Sequence, residues 1–301
     1  QDLYNAGHEI IAVVTNTDKP KGRGMKVIAS PVKQFALEKN LKIYQPIKVK
    51  NNNEFIEKIK ALNPDVICVV AYGKILPKEI LEIPKLGCIN VHASLLPKYR
   101  GAAPIQWAVL NGDEKTGVTT MYMDVGMDTG DMILKQEVEI GENETTGELW
   151  DRLSKIGGQL LVETLNQIEQ KKAPRIPQGK DFTMAPMLQK QMANIDWENQ
   201  TAKQIKNLVR GLNPIMGAYS TLENKKIKLW KVDALDKSDD LFDESRKNGE
   251  VLLSNCKNGL YIKAKDGIIK VLEIQGENAK RMSIEDFLRG NSIKIGSIFK
   301  N

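Results

Sequence analysis

The order of apolar and polar positions changes period part-way along the chain. Up to about residue 170, short apolar runs alternate with amphipathic stretches. Residues 10–14 predict a strand. Ser30 followed by Pro31 predicts an N-cap and a first-turn proline, opening a helix that runs to Glu38. Phe55, Ile56, Ile59 and Leu62 fall on one helical face. Residues 66–70 form a continuous apolar run, as in a strand buried on both sides. Further strands are predicted at 87–91, 118–123 and 132–138. Helices are predicted at 103–110 and 146–170, the second with Gly157 and Gly158 at its middle. Alternating strands and helices imply an α/β domain, doubly wound around a mostly parallel sheet. Such a sheet opens on a strand whose loop meets the ligand crevice. Here residues 2–10 read as the tail of a first helix, so the expectation is that an opening strand is absent.

Beyond residue 171 the pattern breaks. Residues 172–188 carry three prolines and little periodicity, and predict a linker. One helix follows at 201–209. Short strands are then predicted at 218–222, 226–231, 249–254, 260–264 and 268–274, separated by turn signals such as Asn258-Gly259 and Asp266-Gly267. Five short strands and a helix predict a small OB-like β-barrel. The expected division is a catalytic domain over 1–171, the linker, and a second domain over 189–301.

Composition narrows the picture. The 301 residues are 41% hydrophobic and 27% charged, which excludes a disordered or collagen-like chain. No apolar stretch reaches 18 residues, so no membrane span is expected. The net charge is +6, and it is unevenly placed: residues 189–301 carry 20 Lys and Arg against 15 Asp and Glu. A basic second domain permits a polyanionic partner. Cys68, Cys88 and Cys256 have neither metal-ligand nor disulfide spacing, which favours a reducing cytoplasm. Any imidazole chemistry falls on His8 or His92, the two histidines of the chain.

The chemistry is concentrated in CINVHASLLPKYRGAAP, residues 88–104. Asn90 and His92 sit two apart at the end of a predicted strand, so period two places both on one face. That is the carboxyl end, where open α/β sheets bind ligands. A second segment, MDVGMDTGDM at 123–132, sets Asp124, Asp128 and Asp131 among glycines. Three readings stand for it: a metal site, solvated turn residues, or one acid partnering a histidine. The spacing is not that of an EF-hand loop.

These motifs resemble the folate-dependent formyltransferase family. Its Asn-x-His and SLLPxxRGAAP signature matches Asn90, His92 and residues 94–104. Its DTGD element matches 128–131, and its VVAYGxILP element matches 69–77. TDKPKGRG at 17–24, APML at 185–188, IDW at 195–197 and RGLNP at 210–214 extend the likeness over essentially the whole chain. The stretch at 101–121 and the C-terminal elements resemble the branch that acts on tRNA. Two departures stand out: the opening strand with its loop, and NPIMGAYS, where relatives usually have a tryptophan or a second proline.

The resemblance implies transfer of a formyl group from 10-formyltetrahydrofolate to the α-amine of methionyl initiator tRNA. It assigns catalysis to Asn90, His92 and Asp128, with no metal. It places the folate against Ser94, Leu95, Leu96 and Pro97 and against Ala71, Tyr72, Gly73, Ile75 and Leu76. It directs tRNA to the basic loop with Lys19, Lys21, Arg23 and Lys26. In the second domain Lys203, Lys206 and Arg210, spaced three to four apart on one helix, are expected to meet phosphates. A cytoplasmic monomer with no membrane attachment is the expected form. A sugar-nucleotide or purine formyltransferase, a non-catalytic RNA-binding protein and a nicotinamide dehydrogenase are the rival readings. The basic second domain weighs against the purine enzyme, the intact polar trio against the RNA-binding protein, and the lack of a GxGxxG after a strand against the dehydrogenase; an acceptor assay separates the sugar-nucleotide enzyme.

Overall fold

The structure, a computed structural model, describes residues 1–21 and 26–301. It divides into two compact units. The first comprises residues 1–102, 117–138 and 152–185, and the second comprises 103–116, 139–151 and 186–301.

The first unit begins with α1 (Asp2–Asn5) and β1 (Val13–Val14), the second of these being the end of the strand predicted at 10–14. A hairpin of β2 (Lys19–Lys21) and β3 (Lys26–Ile28) follows, then α2 (Pro31–Glu38) and β4 (Ile43–Tyr44), which pairs in parallel with β1. α2 starts where expected: the Ser30 hydroxyl accepts from the Lys33 N–H at 3.2 Å, and Pro31 occupies a position that needs no backbone donor. α3 (Asn53–Leu62) buries Phe55, Ile56 and Ile59 and stops at left-handed Asn63.

The main ladder runs in the order β5 (Ile67–Val70), β6 (Cys88–His92), β7 (Lys115–Tyr122), β8 (Met132–Glu139). α4 (Lys78–Leu81) joins β5 to β6, and α5 (Pro104–Asn111) lies between β6 and β7. Two expectations are corrected here. The sheet is mixed rather than mostly parallel: β5 and β6 are parallel, but β6 and β7 are antiparallel, with His92 opposite Thr119 and Ile89 opposite Tyr122. After β6 the chain re-enters β7 from the same end, so the loop and helix between them need not cross the sheet. Nor is β5 buried on both sides. Val70 is 57% exposed, because β5 is an edge of this ladder.

α6 (Thr146–Glu169) covers β6 and β8 through Leu161, Leu165 and Ile168, which pack with Ile89 and Ile133. Its central Gly157 has a steric reason. A Cβ there would stand 3.0 Å from Val91 Cγ1, so the glycine lets the helix approach the strand.

The segment expected to be a linker is tied down through residue 185. Ile176 and Met132 exchange backbone hydrogen bonds of 2.9 and 3.0 Å. The Arg100 N–H donates to Thr183 O, and the Ala185 N–H donates to Arg100 O. Its prolines remove periodicity, but the remaining backbone groups still find partners.

In the second unit, α7 (Ala202–Gly211) opens on a capping box in which the Thr201 hydroxyl and the Gln204 side chain satisfy each other's backbone N–H. The strands are β9 (Ala218–Leu222), β10 (Lys225–Asp236), β11 (Val251–Asn255), β12 (Gly259–Ala264), β13 (Gly267–Gln275) and β14 (Met282–Ser283), followed by α8 (Ile284–Gly290). The five strands expected from turn signals are all present. They pair antiparallel in the order β11-β12-β13-β10-β9, with β14 on β13. The path is open rather than a closed barrel. Isolated bridges from Lys300 to Thr221 and from Ile298 to Glu250 lie outside it. Leu260, Ile262, Ile269 and Val271 are fully buried beneath α7 and α8, together with Ile205 and Ile284.

Cys88 is buried and Cys68 half-buried, and burial pushes both thiols up to about 12, whereas Cys256 is exposed. Thiolate is the reactive form. At pH 8 the native protein is therefore expected to take one equivalent of an alkylating reagent, at Cys256, and three after denaturation. Mass spectrometry of the labelled chain checks this; rapid native labelling of Cys68 or Cys88 would contradict the placement.

Candidate active site

β6 ends in Asn90 and His92, two apart and on the same face, at its carboxyl end. His92 is buried. Its Nε2 lies 2.9 Å from the Tyr99 carbonyl. A carbonyl can only accept, so Nε2 carries a proton and donates to it. Nδ1 is thereby the ring atom left for chemistry, and it faces Asp128 Oδ2 at 3.6 Å. Asn90 Nδ2 donates to Asp128 Oδ1 at 3.4 Å, and the Gly101 N–H donates to Asp128 Oδ2 at 2.9 Å. An amide, an imidazole and a carboxylate from separate stretches of chain thus converge.

Asp128 comes from the loop between β7 and β8 and takes φ +54°. A side-chain-bearing residue in that left-handed region costs on the order of 1–3 kcal/mol, which the surroundings must offset. Asp124 is a turn residue, accepting from the Gly126 N–H at 2.9 Å and the Thr129 hydroxyl at 2.6 Å. Asp131 points toward Arg175, 3.6 Å away. Of the three readings open for these acids, the geometry favours turn residues for Asp124 and a histidine partner for Asp128. Gly130 is required by contact: a Cβ there would stand 1.8 Å from Tyr122 O.

Sequence reasoning passed over the segment between residues 176 and 185. Gln178 Nε2 donates to the carbonyls of Asp128 and Gly130, each at 2.8 Å, and its Oε1 accepts from Arg100 Nε at 2.9 Å. The Thr183 hydroxyl accepts from the Tyr99 N–H at 2.9 Å, steadying the carbonyl that holds His92. The one available signal was polar residues in a stretch with too few apolar ones to fold for its own sake.

The residues expected at the folate divide into two sets. Ala71, Gly73 and Ile75 are exposed at the carboxyl end of β5, and Tyr72 is half-buried with its hydroxyl lacking a partner among the described residues. Leu95 and Pro97 are half-buried. Ser94, Leu96 and Leu76, also expected at the folate, are turned inward. The Ser94 hydroxyl donates to Lys98 O at 2.6 Å. Leu96 packs with Met121 and Met132, and Leu76 packs with Ile59 and Ile80. Ser94 and Leu96 fix the loop after His92, and Leu76 anchors the segment after β5.

The basic residues also divide. Lys19 and Lys203 are exposed. Lys21 and Lys26 lie in the β2–β3 hairpin by their backbones, and Arg23 falls outside the described residues. Lys206 and Arg210, expected to meet phosphates, are engaged within the fold. Lys206 pairs with Glu142 at 3.1 Å. Arg210 is buried, donating to Asn207 Oδ1 at 2.9 Å and to the carbonyls of Gly141 and Glu144 at 3.2 Å each. Helical spacing puts such residues on one face, but here only Lys203 stays exposed, while Lys206 and Arg210 are drawn onto residues 141–144.

Two family descriptions match the chain: Formyl transferase over residues 2–165, and Formyl transferase, C-terminal domain, over residues 187–292. The chain is 52% identical to the methionyl-tRNA formyltransferase of Clostridioides difficile over 299 residues, covering 99% of this chain and 94% of the relative. It is 46% identical to the methionyl-tRNA formyltransferase of Caldanaerobacter subterraneus over the same span and shares. The solved N-formyltransferase of Helicobacter canadensis, in complex with folinic acid and dTDP-3-aminofucose, matches with a TM-score of 0.65. That match covers 90% of this chain and 93% of the other at 18% identity, which is a likeness of fold.

Gly130→Ala is expected to destabilise the protein by about 1–3 kcal/mol, the usual cost of overpacking a tight site. Urea unfolding measures it. A midpoint equal to that of the unsubstituted protein would show that the loop yields without penalty.

Proposed function

We infer that the chain, which belongs to the formyl transferase family and to its methionyl-tRNA formyltransferase branch, transfers the formyl group of 10-formyltetrahydrofolate to the α-amine of methionyl initiator tRNA. That product serves translation initiation. The observation that carries the reading is the meeting of Asn90, His92 and Asp128 at the carboxyl end of β6. Val70 and Ile75, 57% and 74% exposed beside left-handed Ala71, offer an apolar surface at the neighbouring strand end that fits a flat heteroaromatic donor.

When bound, the donor supplies an electrophilic formyl carbon to the amine. The residues of the chain then act in distinct ways. Asn90 is the neutral donor aimed at oxygen where negative charge develops; its hydrogen bond to Asp128 is long, and Nδ2 keeps a second hydrogen. Such a preorganised donor is worth about 2.7–4 kcal/mol where one has been removed. His92 exchanges a proton at Nδ1, with the tautomer set by the Tyr99 carbonyl at Nε2. Asp128, held by the Gly101 N–H, orients the ring and relays the proton released by the amine toward the donor nitrogen, which departs as its bond to the formyl carbon breaks.

We assign tRNA to the basic loop with Lys19, Lys21, Arg23 and Lys26 and to the 189–301 domain, read as OB-like, with Lys203 among its exposed cations. Lys206 and Arg210 are left out because both are engaged internally. The surplus of cations in that domain supports the reading, and affinity is expected to fall as salt rises. The working form is a monomer in the cytoplasm.

The test is formyl transfer to charged initiator tRNA, run beside an amino-sugar nucleotide as rival acceptor. The tRNA is expected to be formylated and the sugar nucleotide left unmodified; the reverse would overturn the assignment. Asn90→Ala and His92→Ala are each expected to lower kcat by about 100-fold or more. Donor binding should persist in both, as measured by fluorescence titration. Near-normal turnover in His92→Ala would remove the imidazole from the mechanism.

A further inference from the structure

We propose that Gln178 is a positioning residue for the reaction: its side-chain amide holds the loop that follows β7 in the conformation that turns the Asp128 carboxylate toward His92. This rests on the formyl-transfer reading for its kinetic test, and on geometry alone for its structural one. A primary amide nitrogen has two hydrogens. Gln178 spends them on the two carbonyls that flank Thr129, those of Asp128 and Gly130, each 2.8 Å away. Those carbonyls bracket a backbone in which Asp128 is left-handed, a conformation with a cost that needs fixed partners.

The other end of the same amide reaches the second element that touches the acid. Gln178 Oε1 accepts from Arg100 Nε at 2.9 Å, and the guanidinium lies over the Phe182 ring at 4.5 Å. Arg100 immediately precedes Gly101, whose N–H donates to Asp128 Oδ2. One side chain therefore joins the loop that carries the carboxylate to the segment that holds it. No other common side chain of this length does both. A glutamate carboxylate would keep the acceptor for Arg100 but set an oxygen where the two carbonyls need a donor. A leucine would remove the partner of both carbonyls and of the Arg100 Nε–H.

The backbone of the segment does not depend on this side chain. It is pinned by the Ile176–Met132 pair and by the bonds of Arg100 with Thr183 and Ala185. Substitution at Gln178 therefore frees the Asp128 loop while the segment itself stays in place.

The experiment compares Gln178→Leu and Gln178→Glu with the unsubstituted enzyme. In both, kcat for formyl transfer is expected to fall about 100-fold, the usual result of misplacing a reacting group by an ångström, while KM for donor and tRNA stays the same. The ring resonances of His92 are expected to shift in both variants. The chain has two histidines, so a His8→Gln background assigns the spectrum unambiguously. Thermal unfolding accompanies each measurement, and the glutamate variant, which can be hydrated, serves where the leucine variant unfolds. The proposal is overturned by unchanged kcat in a folded variant, by a loss confined to KM, or by His92 resonances that do not move. The resonances are read without substrate, so they judge the positioning role even if the acceptor proves to be something other than methionyl-tRNA.

Discussion

The hydrogen bond from the Gly101 N–H to the Asp128 carboxylate is the contact on which the site depends. It holds an acid from the loop after β7 against the end of β6, where Asn90 and His92 already stand in fixed register. Without it, Asp128 would be one more loop carboxylate, and water would be its natural partner. With it, the carboxylate is oriented on one oxygen by a backbone donor and on the other by the Asn90 amide. The His92 ring is fixed from its far side by the Tyr99 carbonyl, so the nitrogen facing the acid is the one free for proton exchange.

Rigid and strained parts divide the labour. β6 supplies the two donors from a strand paired on both edges, so their spacing follows from the pleat. The acid comes from a left-handed residue in a loop shaped by Gly130 and by the Asp124 turn. Buried residues such as Ser94 and Leu96 set the path of the chain from His92 to Tyr99 and Gly101. A motif can be functional as a whole while most of its side chains serve only its shape.

The distribution of charge carries a related lesson. A basic surplus in residues 189–301 is legible from composition, but its use is not. Arg210 is spent on two carbonyls and an asparagine, and Lys206 on a glutamate. A buried cation must be matched by acceptors, so an arginine on the inward face of a helix is structural before it is anything else. Net charge constrains the kind of partner; only exposure identifies which cations are free to meet it.

Local rules determined much of this protein. The Ser30 cap, the α3 face, the Thr201 helix and the five strands of the second unit follow from periodicity, capping and turn chemistry, which act over a few residues. The pairing of Asn90 with His92 follows for the same reason, since strand geometry relates positions two apart. The tertiary structure decided what depends on distant partners. It reversed β7 against β6, left Val70 open at a sheet edge, and turned Arg210 inward. It drew a proline-rich stretch, read as a linker, against the loop that carries Asp128. It also placed Asp128 beside His92, because neither residue's neighbours along the chain encode a contact formed between a strand end and a remote loop.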